Sequence, residues 1–436
     1  MTLDRRSFLV RTLCGTGMLG LRSLATGVPV SMLANPARAQ STSLDDPQFL
    51  ILNTSQAGDP LNCNAPGTYL DSKILHPGDA KMAKRSFMIG GQAWDAAAPW
   101  AALDPVFERC ALIHHSTETE QHLHQPEVLG LMGSVLAKDM AVSAFAAQLA
   151  PALGTIQPQP VTLGTVDSSE AISFRGRPQP MLNPTSLSTV LGGTEGPLAN
   201  LASLRDKDLD RLNRFFKERG TLEQRRMLDA YATSQGQVRK LSTDLLDQLA
   251  ALKDNGADAQ VAAAIVLIRM KVAPVVTVHI PFGGDNHFDD GLGKETTETV
   301  AGMATLAKLF DGLKSVQLSD KVTFASLNVF GRTLTRKDFG RSHNRNHHLT
   351  MLVGSRVKGG VIGGVVPKND DYGALAIDSA SGRGGDGGDV SPATSLASVG
   401  KTLGAALGLP RDVLDATVVN TSSGKTVGKV IQAALK

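Results

Sequence analysis

The chain has ten histidines, and eight of them fall in three patches. The first patch is His114, His115, His122 and His124, the second is His287, and the third is His343, His347 and His348. His76 and His279 stand apart and read as hydrogen-bonded or surface residues. A single histidine is usually structural, but a concentration in loops at one edge of a sheet points to a functional rim. Imidazoles and carboxylates gathered there can hold zinc, manganese or a similar divalent ion. Such an ion acidifies a bound water or polarises an ester oxygen. His114 and His115 are neighbours on an extended run, so their side chains point to opposite faces and at most one can face a common site.

The elements that would position these residues are short apolar runs ending in polar loops. Phe49-Leu50-Ile51-Leu52 ends at Asn53-Thr54-Ser55, and the loop Gly58-Asp59-Pro60 follows. Cys110 to Ile113, Pro274 to Ile280, Val322 to Val329 and Leu349 to Val353 are similar runs, consistent with buried strands. Segments with helical spacing lie between them, such as Val300 to Leu313. Strands alternating with helices predict an α/β fold, a mostly parallel central sheet flanked by helices. In such sheets ligands bind beyond the carboxyl ends of the strands. The stretch from Leu201 to Leu252 is instead dense in charge, with Leu201, Leu204, Leu209, Leu212 and Phe216 at helical intervals. It predicts a helical insertion over about 200–255, with ordinary crossover helices as the alternative. Residues 382–389 read as a mobile surface loop. Their match to G-x-G-x-x-G through Gly382, Gly384 and Gly387 lacks the flanking strand and helix a dinucleotide site needs.

The 436 residues include 44 Lys plus Arg against 41 Asp plus Glu, a formal charge of +3. Five of the arginines, Arg5, Arg6, Arg11, Arg22 and Arg38, lie in residues 1–39 against Asp4 alone. Without that segment 39 basic and 40 acidic residues remain, too balanced for a protein that displaces counterions from nucleic acid. The segment carries Arg5-Arg6-Ser7-Phe8-Leu9, a moderately apolar stretch, and Ala37-Arg38-Ala39. That order resembles a twin-arginine signal peptide ending in a cleavage site. It predicts an engagement with the twin-arginine export machinery, a periplasmic or secreted address, and one domain over residues 40–436. An amphipathic N-terminal helix is the alternative. No later stretch reaches the roughly 20 apolar residues of a membrane span. Cys63 and Cys110 would remain, either as a disulfide or as two buried thiols.

Taken in order, the motifs resemble a known family. They are the early Gly-Asp loop, Leu112-Ile113-His114-His115-Ser116-Thr117 with His122 and His124 before Leu131-Met132-Gly133, and Gly283-Gly284-Asp285-Asn286-His287. Phe330-Gly331-Arg332-Thr333, Gly340-Arg341-Ser342-His343 and Val357 to Gly363 complete the series. This resembles domain-of-unknown-function family 1501, exported bacterial proteins related to the alkaline phosphatase and sulfatase superfamily, over roughly residues 48–410.

The resemblance implies an alkaline phosphatase-like sheet with a metal-dependent centre for phosphate or sulfate esters, on a small-molecule or glycan substrate. It implies a divalent metal, zinc, manganese or calcium, on Asp285, His287 and His343, with His122 or His124 and the more loosely matched Asp59 as further ligands. Ser116 and Thr117 are the hydroxyls near a nucleophile's position. Arg332 or Arg341 would pair with the ester's anionic oxygens, because a guanidinium fork matches that geometry. The chain departs from the family at two places. Val329 stands where Glu is usual, and Ser342 stands where Asp is usual. A binding or assembly protein that keeps the fold without the chemistry is therefore the alternative expectation. Asp289, Asp290 and Asp338 are the carboxylates that would compensate.

Overall fold

The computed structural model describes residues 44–130, 141–155, 157–164, 172–174, 177–179, 181–191, 251–335, 339–420 and 422–436, with isolated residues between 207 and 249. Residues 1–39, where a signal peptide is expected, the Leu131-Met132-Gly133 motif, Asp338 and most of the expected insertion over 200–255 lie outside the described residues.

Eight strands form the central sheet: β1 (Phe49–Ser55), β2 (Cys110–His115), β3 (Val161–Leu163), β4 (Met181–Leu182), β5 (Val275–Val278), β6 (Val322–Asn328), β7 (His348–Val353) and β8 (Gly360–Ile362). Their order is β8-β2-β7-β6-β1-β5-β3-β4. Every pairing is parallel except those of β7, which runs against both β6 and β2. The mostly parallel α/β architecture expected from the apolar runs is therefore present. All residues of β1, β2, β6 and β7 are buried, as a sheet covered on both faces requires.

The long helices are α1 (Ala141–Leu153), α2 (Ala257–Arg269), α3 (Gly293–Ser315) and α4 (Pro392–Ala406). Alternation along β6 separates the two layers. Phe324 meets Phe310 of α3 edge-on at 5.8 Å. Ala325 and Leu327, pointing the other way, line a small gap with Val399 and Leu403 of α4. Burying a Phe of this kind stabilises by roughly 1.5–3 kcal/mol. Helix α3 begins where the Asp289 carboxylate accepts the N–H groups of Lys294 (2.9 Å) and Glu295 (2.8 Å). These would otherwise be orphan donors of the first turn.

Three corrections to the sequence expectations belong to the fold. His347 and His348 are not in a loop after a strand: His348 is the first residue of β7, and His347 comes just before it. They still reach the carboxyl edge of the parallel strands because β7 starts there and runs back, pairing His348 with His115. Residues 382–389 are tied down rather than free: Ile377 bridges to Gly384 and Val390, and the Asp389 carboxylate accepts from Ser379 N–H (2.7 Å) and Lys429 Nζ (3.1 Å). Cys63 and Cys110 are both buried free thiols, so of the two alternatives the disulfide falls.

Candidate metal centre

The loops leaving β1, β2, β5 and β6 meet above the carboxyl edge. Among the described residues, His122, Asp285, His287 and His343 form a group whose candidate ligand atoms all lie within 4.8 Å of one another. His122 opens a short 3-10 turn, His122–His124, beyond β2. Asp285 and His287 lie between β5 and α3. His343 belongs to a two-residue hairpin in which it pairs directly with Arg332.

The hydrogen bonds decide which ring nitrogens face the centre. His122 Nδ1 is 2.7 Å from the Gln56 carbonyl, and His343 Nδ1 is 2.6 Å from the Glu120 carbonyl. A carbonyl can only accept, so both Nδ1 atoms carry hydrogen and, in the neutral rings, both Nε2 atoms present lone pairs. Anchoring of the outer nitrogen in this way orients metal-binding imidazoles. His343 Nε2 lies 2.8 Å from His287 Nε2. Asp285 Oδ1 lies 3.5 Å from His287 Nε2, and its Oδ2 lies 3.5 Å from His122 Nε2. The Phe330 ring stacks on His343 at 4.2 Å and meets His122 edge-on at 5.0 Å.

Burial and charge shift three of these four groups. Burial and the Arg332 guanidinium hold His343 down at about 4, and the same two causes lower His287. Burial raises the Asp285 carboxyl, but Arg332 and the neighbouring histidines outweigh it and leave it below its ordinary value. Arg332 Nη2 contacts Asp285 Oδ1 at 3.0 Å. Neutral imidazoles with an ionised carboxylate are what a cation needs.

The remaining expected residues are elsewhere. His124 is exposed and bonds through Nδ1 to Thr119 Oγ1 at 2.7 Å, so it is His122 that reaches the group. Asp59 is buried, and its Oδ1 accepts from Phe282 N–H (3.0 Å) and Gly284 N–H (2.7 Å). It fixes the loop that carries Asp285, where Gly283 and Gly284 have φ of 132° and 56°. Ser116 donates to Glu118 Oε1 (2.5 Å) and to the Arg345 carbonyl (2.8 Å), and Thr117 Oγ1 is buried without a partner. Neither belongs to the group. Arg341 is fully buried, with Nε and Nη2 on the Glu295 carboxylate (2.7 and 3.0 Å) and its other donors on the Thr333, Leu334 and Leu75 carbonyls. Its expected role toward an ester anion is corrected to a structural one, since no N–H is left over. Asp289 is occupied at the start of α3 and Val329 is in the core, so neither supplies a ligand.

Four histidines of the patches form two internal pairs. His114 donates from Nε2 to the Pro66 carbonyl (2.9 Å), and its Nδ1 lies 2.9 Å from His347 Nε2. His115 donates from Nδ1 to the Ser116 carbonyl (3.0 Å), and its Nε2 lies 3.3 Å from His348 Nδ1. Each ring can satisfy these bonds while neutral. Burial lowers His114 and His115 to about 4 and places His347 and His348 well below their ordinary value. The two neighbours do point to opposite sides of β2, as successive residues of a strand must, and neither joins the group of four.

Comparison with protein-family models finds none that matches the chain. Comparison with curated proteins finds no match either. The Gln56 and Glu120 carbonyls that aim the ligands had no sequence signal, because any residue type supplies a carbonyl.

Proposed function

We propose that this protein is an exported, metal-dependent hydrolase of phosphate or sulfate esters with an alkaline phosphatase-like fold, akin to family 1501. The observation that carries the proposal is the His122, Asp285, His287 and His343 group, with two of its rings anchored through Nδ1 to backbone carbonyls. Three imidazoles and one carboxylate suit zinc or manganese, whereas calcium takes six to eight oxygen ligands. Bound there, the ion would supply Lewis acidity toward an ester oxygen and a lowered pKa for water.

The chain's own residues have separable tasks. Arg332 orients Asp285 and keeps it ionised; its Nη1 is buried without a partner, so the guanidinium acts through Asp285 and its expected pairing with an ester oxygen is corrected. Gln56 and Glu120 fix the ring orientations of His122 and His343. Ser116 shares its one hydrogen between Glu118 and the Arg345 carbonyl and lies outside the group, and among the described residues Thr117 Oγ1 has no hydrogen-bond partner that would activate it. Among the described residues no helix is long and apolar enough to cross a membrane.

Elemental analysis of the purified protein after zinc or manganese reconstitution, with turnover of aryl phosphate and aryl sulfate, tests this reading. A stoichiometric ion and turnover lost in His287→Ala support it, and absence of any bound ion sinks it. A bound ion without turnover of any ester favours the binding-protein alternative, to which Val329 and Ser342 point. Export rests on Arg5-Arg6, and replacing both with lysine should retain the protein in the cytoplasm.

A further inference from the structure

The surroundings of Arg332 are those of a cation site built from oxygen. Its Nε donates to the Gly58 carbonyl at 2.6 Å, and its Nη2 donates to the Ala57 carbonyl and to Asp285 Oδ1 at 3.0 Å. Asp59, the next residue after Gly58, has a buried Oδ2 with no partner, and its charge acts on the guanidinium together with that of Asp285. Two carbonyls and the Asp285 carboxylate contact the guanidinium, with the Asp59 charge nearby, and such oxygen donors are those a hard divalent cation takes. Here the place is filled by a side chain that is 0% exposed.

Asp285 joins this place to the histidine group. Its Oδ1 faces Arg332 at 3.0 Å, and its Oδ2 faces His122 at 3.5 Å. A carboxylate bridging two cations has this arrangement in two-metal sites, where the ions sit about 3.5–4 Å apart. The residues that would strengthen a second ion are absent or occupied: Val329 is buried and apolar, and Asp289 caps α3. A second divalent ion would also have to approach a fixed positive charge at a distance where repulsion is several kcal/mol at the effective dielectric of a protein surface, about 20.

We propose that the Arg332 guanidinium occupies the position of a second cation, so that the centre takes a single divalent ion. This rests on the metal reading above and narrows it to one ion beside an invariantly charged arginine. Arginine stays protonated at any working pH, so this second charge cannot be removed by chelation.

The test is metal stoichiometry, read by elemental analysis and by zinc titration against a chromophoric chelator. Wild type is compared with Arg332→Met and Arg332→Gln, the latter still able to donate to the Ala57 and Gly58 carbonyls, and far-ultraviolet circular dichroism confirms folding. Wild type should bind one ion, and a folded neutral variant should gain a second. Two ions in wild type overturn the proposal, as does a folded neutral variant that stops at one. No ion in wild type overturns the metal reading itself. If both variants fail to fold, two ions in wild type still overturn the proposal.

Discussion

The Nε2 atoms of His287 and His343 lie 2.8 Å apart, nitrogen facing nitrogen. Because His343 gives its Nδ1 hydrogen to Glu120, the hydrogen between the two neutral rings belongs to His287. A cation entering the group takes the place of that hydrogen, and His287 keeps its proton on Nδ1 instead. The rings are therefore preset to within a tautomer change of a binding geometry. Metal binding here should release little proton at neutral pH, since both rings are held below their ordinary value. Zinc titrations in two buffers of different ionisation enthalpy should give nearly equal heats at pH 7. A difference equal to a full proton's transfer would contradict this.

His122 and His124 make a matched pair for testing which ring is the ligand. His122→Ala removes an anchored nitrogen from the group and should weaken zinc binding by more than the roughly 10–100-fold that loss of an outer-shell partner costs. His124→Ala removes an exposed ring bonded to Thr119 and should leave affinity unchanged. Competition against a chelator measures both. Equal losses would mean that the turn rearranges and both rings contribute.

Acid should destabilise the fold through the internal histidine pairs. In the unfolded chain these rings take up protons near the ordinary value of 6.5, whereas folded His114 and His115 resist until about 4. The unfolded state then binds more protons, so their contribution is intact above pH 6.5 and is lost as pH falls toward 4. Each ring adds up to about 1.4 kcal/mol per pH unit over that range. Urea midpoints at pH 7, 6, 5 and 4.5 should fall progressively, and a flat series would show that the rings protonate without unfolding.

The strands were legible because a strand buried on both faces reads as a near-continuous apolar run, as Phe49 to Leu52 does and as Leu349 to Val353 does apart from Thr350. Asp285, His287 and His343 were legible as motif residues. The choice between His122 and His124 was not, because residues two apart in a 3-10 turn project about 240° from each other and the path of the loop decides which one points inward. Arg332 and Arg341 each sit beside a glycine in a motif, yet one faces the group and the other is buried against Glu295. That difference depends on Glu295, which is 46 positions away from Arg341. The internal histidine pairs were hidden for the same reason: His114 and His347 are 233 positions apart.

Arg341 and Glu295 form a doubly bonded pair with neither side chain exposed. Removing one partner strands the other as a buried charge, which costs about 3–5 kcal/mol. Arg341→Met should therefore lose that much stability in chemical denaturation. The double variant with Glu295→Gln should recover part of it, because no bare charge is left. If Arg341→Met instead melts like wild type and fails only in turnover, Arg341 acts on substrate and its structural assignment is wrong.

Gly340 supplies the closest backbone approach to the ligand loop. A Cβ there would sit 2.1 Å from the Asn286 carbonyl oxygen and 2.7 Å from that of His287. Both are backbone atoms, so no flexible side-chain end can yield. Gly340→Ala must push residues 286 and 287 away from the hairpin that carries Arg332 and His343, opening the gap that sets His287 against His343. Overpacking of this kind costs about 1–3 kcal/mol of stability. The displaced His287 should also weaken zinc binding by tenfold or more, the loss expected when a ligand's support is disturbed. Affinity and melting temperature read the two effects separately. A variant that loses stability and keeps its affinity would show that Asp59, through its bonds to Phe282 and Gly284, holds the loop in register without Gly340.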